Sequence, residues 1–230
     1  MSPLTNLRKF SISLAIFALV TLASTTIARA DNVTFNLDVG STLPNQNYGT
    51  ISLHLNGSGQ IEFTVDLLNN AYIIQTGQGT SIGFSSSLSP NPTIAGSNFS
   101  NSNYSLFSGT AGVADVNGFG NHEYKIVAPS IGANDPPPAG ASHLTFTISC
   151  TSCAGGMFTS VFDLVSNSTD GGKSSPFAID IFCPSCDGGK GATGFIGTSG
   201  PASIPEPASL MLLGTGLVGV AAGLRRRYRK

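Results

Sequence analysis

Two runs of alternating apolar and polar residues, joined by an Asn-Gly turn, constrain the fold of this chain more than any other feature. The apolar positions of the two runs are Ile51, Leu53, Leu55, Ile61, Phe63, Val65 and Leu67. Between them lies the turn sequence Asn56-Gly57-Ser58-Gly59. Because successive side chains of a strand point to opposite faces, residues 51–67 predict a β-hairpin with one buried face.

The same alternation recurs along the chain, first at Val33, Phe35, Leu37 and Val39. Further strands are predicted over residues 72–75, 81–84, 122–128, 142–150, 157–165, 176–183 and 193–197. Residues 85–122, rich in Ser, Asn, Pro and Gly, are predicted as a long irregular loop or a set of short edge strands. With no helical stripe and no fixed internal repeat, the pattern predicts an all-β domain, an antiparallel β-sandwich or jelly roll.

The first 30 residues have the three parts of a secretory signal peptide. Arg8 and Lys9 supply the basic start, residues 11–23 the apolar run, and Ala28-Arg29-Ala30 the cleavage site. The apolar run is too short to predict a membrane anchor. We therefore expect an exported protein whose mature chain starts at Asp31.

The last residues form a second apolar segment, at the opposite end of the chain. Ala208–Leu224 is a stretch of 17 uncharged residues, and as a helix it would span about 25 Å. The basic residues after it are Arg225, Arg226, Arg227, Arg229 and Lys230. Such residues favour the cytoplasmic side of a bilayer. This predicts one transmembrane helix at 208–224 with a basic cytoplasmic end.

The predicted plan of the chain therefore has four parts. They are a signal peptide (1–30), a β-sandwich ectodomain (31–197), a linker (198–203) and a C-terminal tag (204–230).

The order of features in this tag resembles the PEP-CTERM sorting tag of Gram-negative bacteria, which is also catalogued as the C-terminal domain of ice-binding proteins. The features are Pro205-Glu206-Pro207, a short apolar span and an Arg-rich end. The resemblance implies that an exosortase, a membrane protease-transpeptidase, recognises and processes the chain at Pro205-Glu206-Pro207. It also implies an association with exopolysaccharide or biofilm matrix. A shared tag implies a shared localisation rather than a shared activity.

The charge of the predicted ectodomain excludes one class of partner. Between residues 31 and 203 there are three lysines and eleven acidic residues, giving a net charge of −8. A polyanion would be repelled by such a surface, so nucleic-acid binding is excluded.

Four cysteines form two Cys-x-x-Cys pairs, Cys150/Cys153 and Cys183/Cys186. This spacing is compatible with a zinc site that has four cysteine ligands, a thioredoxin-like redox site or structural disulfides; disulfides suit an exported protein best. If strands 144–150, 157–165 and 176–183 form a meander, both pairs lie at the same end of the sandwich. The outer strands of a meander are about 9.6 Å apart, whereas bridged Cα atoms rarely exceed about 7 Å. We therefore predict the local bonds, Cys150–Cys153 and Cys183–Cys186.

Gly79-Thr80-Ser81-Ile82-Gly83 matches the G-x-S-x-G pattern of hydrolases, and Asp115 and His122 follow in hydrolase order. The catalytic serine of such enzymes sits on a strand-to-helix turn. The continuation after Gly83 is a poor helix former. No enzyme activity is therefore expected, and we expect no metal or cofactor either.

Three functional hypotheses follow. The first is a non-enzymatic, membrane-anchored cell-surface or matrix protein that contacts lipid, exosortase and extracellular polysaccharide. The second is a carbohydrate-binding module, for which Phe99, Tyr104 and Phe107 form the candidate sugar-stacking patch. The third is a secreted hydrolase and depends on Ser81 alone.

Overall fold

The computed structural model describes residues 32–201, except 77–78, 129–130, 132–139, 171 and 187–190. The chain forms two compact units, of which Ala30–Ile204 contains all these residues. The strands are β1 Asn32–Gly40, β2 Gly49–Leu55, β3 Ile61–Leu67, β4 Tyr72–Ile73, β5 Ile82–Phe84, β6 Ile94–Ser97, β7 Ser105–Leu106, β8 Ala114–Val116, β9 Gly120–His122, β10 Tyr124–Val127, β11 His143–Cys150, β12 Phe177–Cys183 and β13 Ala192–Pro201.

Eleven of these strands form one sheet that curls into a near-barrel. Its order is β6-β11-β3-β2-β1-β13-β12-β5-β10-β7, with β4 also paired to β12, and every pairing among the described strands is antiparallel. The two end strands meet where the Ile94 N–H, at the start of β6, donates to the Gly109 carbonyl just after β7, at 2.6 Å. The predicted all-β class is confirmed. The two facing sheets expected of a sandwich or jelly roll are replaced by one continuous sheet.

The interior of the near-barrel is filled by the apolar faces of the alternating strands. The hairpin predicted at 51–67 is present as β2 and β3, paired from Leu55↔Ile61 to Gly49↔Leu67. Phe63 lies at the centre of an aromatic cluster. Its ring stacks on Phe146 at 4.8 Å and approaches Phe84 at 5.5 Å and Phe177 at 6.1 Å. Aromatic contacts of this kind add stabilisation beyond the area they bury.

A small second layer covers part of the outer face of the sheet. Strands β8 and β9 form a hairpin whose Val116 and Phe119 pack against Ala178 and Phe195. Val39 joins this outer cluster because the pairing of β1 with β13 shifts register between Leu37 and Val39. The extra residue at this bulge turns Val39 away from the interior. The prediction that Val39 shares the face of Leu37 is therefore wrong.

The strand predicted at 157–165 is also wrong. Residues Val161–Leu164 form a 3-10 turn, preceded by a shorter one at Ala154–Gly156. The buried apolar residues are Phe158, Val161 and Leu164, and this spacing of three matches the three residues per turn of a 3-10 helix. Ser160 and Asp163 form a capping box that fixes the start of the turn.

The first and last strands are neighbours in the middle of the sheet. β13 pairs with β1 on one side and β12 on the other. It runs to Pro201, so residues 198–201 of the predicted linker belong to the strand. Because β1 and β13 are antiparallel, Asn32 and Pro201 lie at the same end of the near-barrel.

Across the described ranges, no helix has the length and apolar character needed to cross a bilayer. The predicted signal peptide (1–30) and transmembrane helix (208–224) lie outside those ranges.

Replacing Phe63 by alanine is expected to lower the free energy of unfolding by about 3–5 kcal/mol, because the cavity opens inside a closed aromatic cluster. Urea unfolding followed by circular dichroism would measure this change. The exposed Phe107→Ala is the matched control and is expected to lose less than about 1 kcal/mol. Equal losses in the two variants would contradict the position of Phe63 at the centre of the core.

Candidate functional site

The two Cys-x-x-Cys motifs form the predicted local disulfides. Cys150 is bonded to Cys153 and Cys183 to Cys186, with Cα–Cα distances of 5.6 and 5.4 Å. The strand arrangement used to predict them is wrong, however. Five antiparallel steps separate β11 from β12 in the sheet, so the two strands run in opposite directions. The disulfides therefore lie at opposite ends of the near-barrel.

Ser81, the serine of the G-x-S-x-G pattern, is buried directly before β5 and is not followed by a helix. His122, on β9, is buried between the outer layer and the sheet, and its Nδ1 lies 3.4 Å from the hydroxyl of Ser85. Burial lowers the pKa of His122 to about 4, so its imidazole is neutral at pH 7. Asp115 lies on β8 with its side chain exposed, and its carbonyl accepts a bond from Thr80. These residues do not form a hydrogen-bonded triad.

Asp180, on β12, is a buried acid that the sequence interpretation missed. Its Oδ2 accepts hydrogen bonds from the Thr76 N–H at 2.7 Å and from the Thr76 hydroxyl at 2.5 Å. Its backbone N–H donates to the Ser81 carbonyl at 2.8 Å. Asp180 therefore fastens the segment that precedes β5 onto β12. Its sequence signal is a single acid within the apolar run Phe177–Cys183.

The surroundings of Asp180 leave its charge only partly compensated. Among the described residues, neither its Oδ1 nor the Ser81 hydroxyl has a hydrogen-bond partner. Burial raises the pKa of Asp180 to about 6, and the two bonds from Thr76 offset part of that effect. These groups lie inside the protein, so we assign them a structural role.

The candidate sugar-stacking patch does not form. Tyr104 is part of the core: its hydroxyl donates to the Ile73 carbonyl at 2.7 Å and accepts the Ala141 N–H at 3.0 Å. Phe99 stacks on Phe146 at 5.3 Å. Only Phe107 of the three is exposed, and the Lys125 ammonium lies 4.3 Å from its ring centre.

The end of β13 is held firmly up to the residues that precede the C-terminal tag. The Ser175 hydroxyl donates to the Phe177 carbonyl at 2.6 Å and accepts the Thr198 N–H at 2.8 Å. One residue further on, the Ser199 hydroxyl donates to the Asp38 carboxylate at 2.7 Å. The fold therefore ends close to the tag, and Pro205-Glu206-Pro207 lies outside the described residues.

Single cysteine variants are expected to report the local pairing directly. In Cys153→Ala, alkylation and peptide mapping should find one free thiol, at Cys150, with Cys183–Cys186 intact. In Cys186→Ala the free thiol should be Cys183. Each variant should lose about 2 kcal/mol of stability, the contribution of a four-residue loop in the chain-entropy model. A label on Cys183 or Cys186 in the first variant would show bonds between the two motifs.

Asp180→Asn is expected to change how stability depends on pH. The pKa of Asp180 rises from 3.8 to about 6 on folding, so the folded state holds a proton in this window that the unfolded chain releases. The stabilisation that comes from this bound proton is complete below about pH 4 and is lost as the pH rises through about 6. Because Asn does not ionise, the free energy of unfolding of the variant relative to the parent should rise by on the order of 2 kcal/mol between pH 4 and pH 7.

Urea unfolding of both chains at pH 4 and pH 7 would measure this difference. His122 acts in the opposite direction, since its lowered pKa makes it destabilising as the pH falls from 6.5 towards 4. Both chains contain His122, so its effect cancels in the comparison. A difference between parent and variant that is the same at the two pH values would contradict the expectation.

Comparison with known proteins identifies the C-terminal tag. A family model described as the PEP-CTERM protein-sorting motif matches residues 203–227. Searches of curated proteins and of solved structures found no match. The matched residues include Pro205-Glu206-Pro207, and the motif marks exported, membrane-associated proteins that are in general exosortase substrates. The chain therefore carries a PEP-CTERM protein-sorting motif at residues 203–227.

Proposed function

We propose that the chain is a non-enzymatic cell-surface or matrix protein, delivered and anchored through its PEP-CTERM tag. The observation that carries the proposal is the match of the sorting motif to residues 203–227, directly after the last strand of the domain. The tag delivers the folded β-domain that precedes it. Two disulfides support a destination outside the cytoplasm, because such bonds persist in oxidising compartments.

In this proposal the signal peptide directs export and is cleaved after Ala30, so that the mature chain starts one residue before β1. Residues 208–224 hold the protein in the membrane, with the basic residues on the cytoplasmic side and the domain on the other. An exosortase then processes the chain at Pro205-Glu206-Pro207. The released or transferred domain associates with extracellular polysaccharide.

Two alternative functions lose support from the positions of their residues. A carbohydrate-binding module would need exposed aromatic rings in a row, whereas Tyr104 is in the core and Phe99 is stacked on Phe146. A hydrolase would need a nucleophile that a substrate can reach, and Ser81 is fully buried. The non-enzymatic role is therefore the one we propose.

Intact-mass analysis of the chain, expressed in a Gram-negative host with and without an exosortase, tests this function. With the exosortase, the chain should lose residues after the motif and end close to Glu206. The variant Glu206→Ala should keep its C-terminal segment under the same conditions. The exposed Asp115→Ala is the matched control and should be processed like the parent.

Two results would contradict the proposal. One is a full-length chain that stays soluble in the cytoplasm of the host, because export would then fail. The other is equal processing of the parent and Glu206→Ala, because the sorting motif would then not direct the cleavage.

A further inference from the structure

The antiparallel sheet fixes the end of the near-barrel at which most connecting segments leave one strand and enter the next. We call the end that holds Asn32 and Pro201 the tether end. The segments at this end connect β2 to β3, β5 to β6, β7 to β10 and β11 to β12. They comprise residues 56–60, 85–93, 107–123 and the described parts of 151–176. The middle parts of the last two segments run along the outer face, as far as Gly118 and Lys173, which lie against Ser41 and Gly40 at the opposite end of β1. The turn after β3, with Leu68, lies at the opposite end.

Exposed apolar side chains are concentrated at the tether end. The large apolar residues with the greatest exposure among those described are Val113 (76 %), Phe107 (65 %), Leu68 (47 %), Met157 (47 %) and Phe162 (36 %). Four of these five lie on tether-end segments, and only Leu68 lies at the other end. Large exposed apolar side chains grouped in this way are typical of a surface that contacts a partner or a membrane.

The tether end also carries few charges that a lipid surface would have to desolvate. Residues 56–60, 85–93, 107–113 and 151–162 contain no charged side chain. The connecting segments also carry Asp115 on β8, Asp170 next to Thr169, which pairs with Asn121 on β9, and Lys173, whose ammonium donates to the Gly40 carbonyl. Glu123 accepts a bond from the Ser86 N–H, and the buried Asp163 carboxylate accepts bonds from Thr159 and Ser160. The Lys125 ammonium lies over the Phe107 ring. An aromatic ring beside a cation suits the headgroup level of a bilayer.

The length of chain beyond β13 limits how far this end can be from the membrane. Six residues, 202–207, separate Pro201 from Ala208, where the predicted span begins. Fully extended, the chain from Pro201 to Ala208 reaches about 25 Å, and less in any other conformation. Leu68 lies seven residues along β3 from the tether end, roughly 23 Å further away.

We propose that, in the anchored chain before processing, the tether end rests on the lipid surface, with Phe107, Val113, Met157 and Phe162 entering its interfacial layer. This inference rests on the proposed function, because it needs residues 208–224 in the membrane. The occupant is lipid, since the anchor brings this end to the bilayer whatever else binds there. The opposite end, with Leu68, faces away.

The chain has no tryptophan, so a single introduced tryptophan reports its own surroundings. The test uses the full chain with Phe107→Trp, Phe162→Trp or the matched control Leu68→Trp. Each variant is reconstituted in phosphatidylethanolamine–phosphatidylglycerol vesicles with or without brominated acyl chains. We expect a blue-shifted emission that bromine quenches for Phe107→Trp and Phe162→Trp, and neither effect for Leu68→Trp.

Flotation of the vesicles separates failure of the anchor from failure of the inference. If the chain floats but bromine quenches none of the three, the anchor stands and the lipid contact is wrong. Equal quenching of all three would also overturn it, because the end that faces the bilayer would be undefined. A blue shift without quenching would assign the tether end to a protein partner or a second copy. If the chain does not float, the anchor and the inference fall together.

Discussion

The hydrogen bonds that β13 makes to β1 and β12 are the interaction on which the rest of the sheet depends. Without them the sheet divides into β6-β11-β3-β2-β1 and β12-β5-β10-β7. Neither half encloses the core, because Phe63 on β3 packs against Phe84 and Phe177 from the other half. The pairing of β1 with β13 joins the two sequence ends of the domain. Forming it during folding therefore has the entropic cost of closing a long loop, which raises the folding barrier. The strand that completes the domain is therefore the one that leads to the sorting motif.

The features that sequence analysis predicted well depend on neighbouring residues. The β2–β3 hairpin combines alternation with an Asn-Gly turn, and both are local. The strand predicted at 157–165 failed because Ser160 and Asp163 offer the backbone a capped turn, which competes with a strand. The predicted orientation of Val39 was wrong because a bulge depends on the pairing partner, and the alternation of apolar residues does not reveal that partner. The strand order could not be predicted, since β1 and β13 are distant in sequence.

The same distinction between local and distant contacts explains which features of the candidate site could be predicted. The sorting tag was found because its features follow one another in order at one chain end. The local disulfides were predicted correctly from an incorrect strand arrangement, because a spacing of two residues brings the sulfur atoms together in many arrangements. The burial of Tyr104 and the role of Asp180 were not predicted, because both depend on segments far away in sequence. A tyrosine in a Ser/Asn-rich segment looks exposed until Ile73 and Ala141 provide its partners.

The small size of the disulfide loops has a consequence for how the oxidised protein arises. Each bond encloses two residues, so it can form as soon as its own Cys-x-x-Cys segment reaches an oxidant, before the partner strands have arrived. Four cysteines allow three connectivities. Since Cys150 and Cys183 lie at opposite ends of the near-barrel, the finished sheet also keeps the two pairs from exchanging partners. The order in which the segments emerge and the final geometry thus favour the same connectivity.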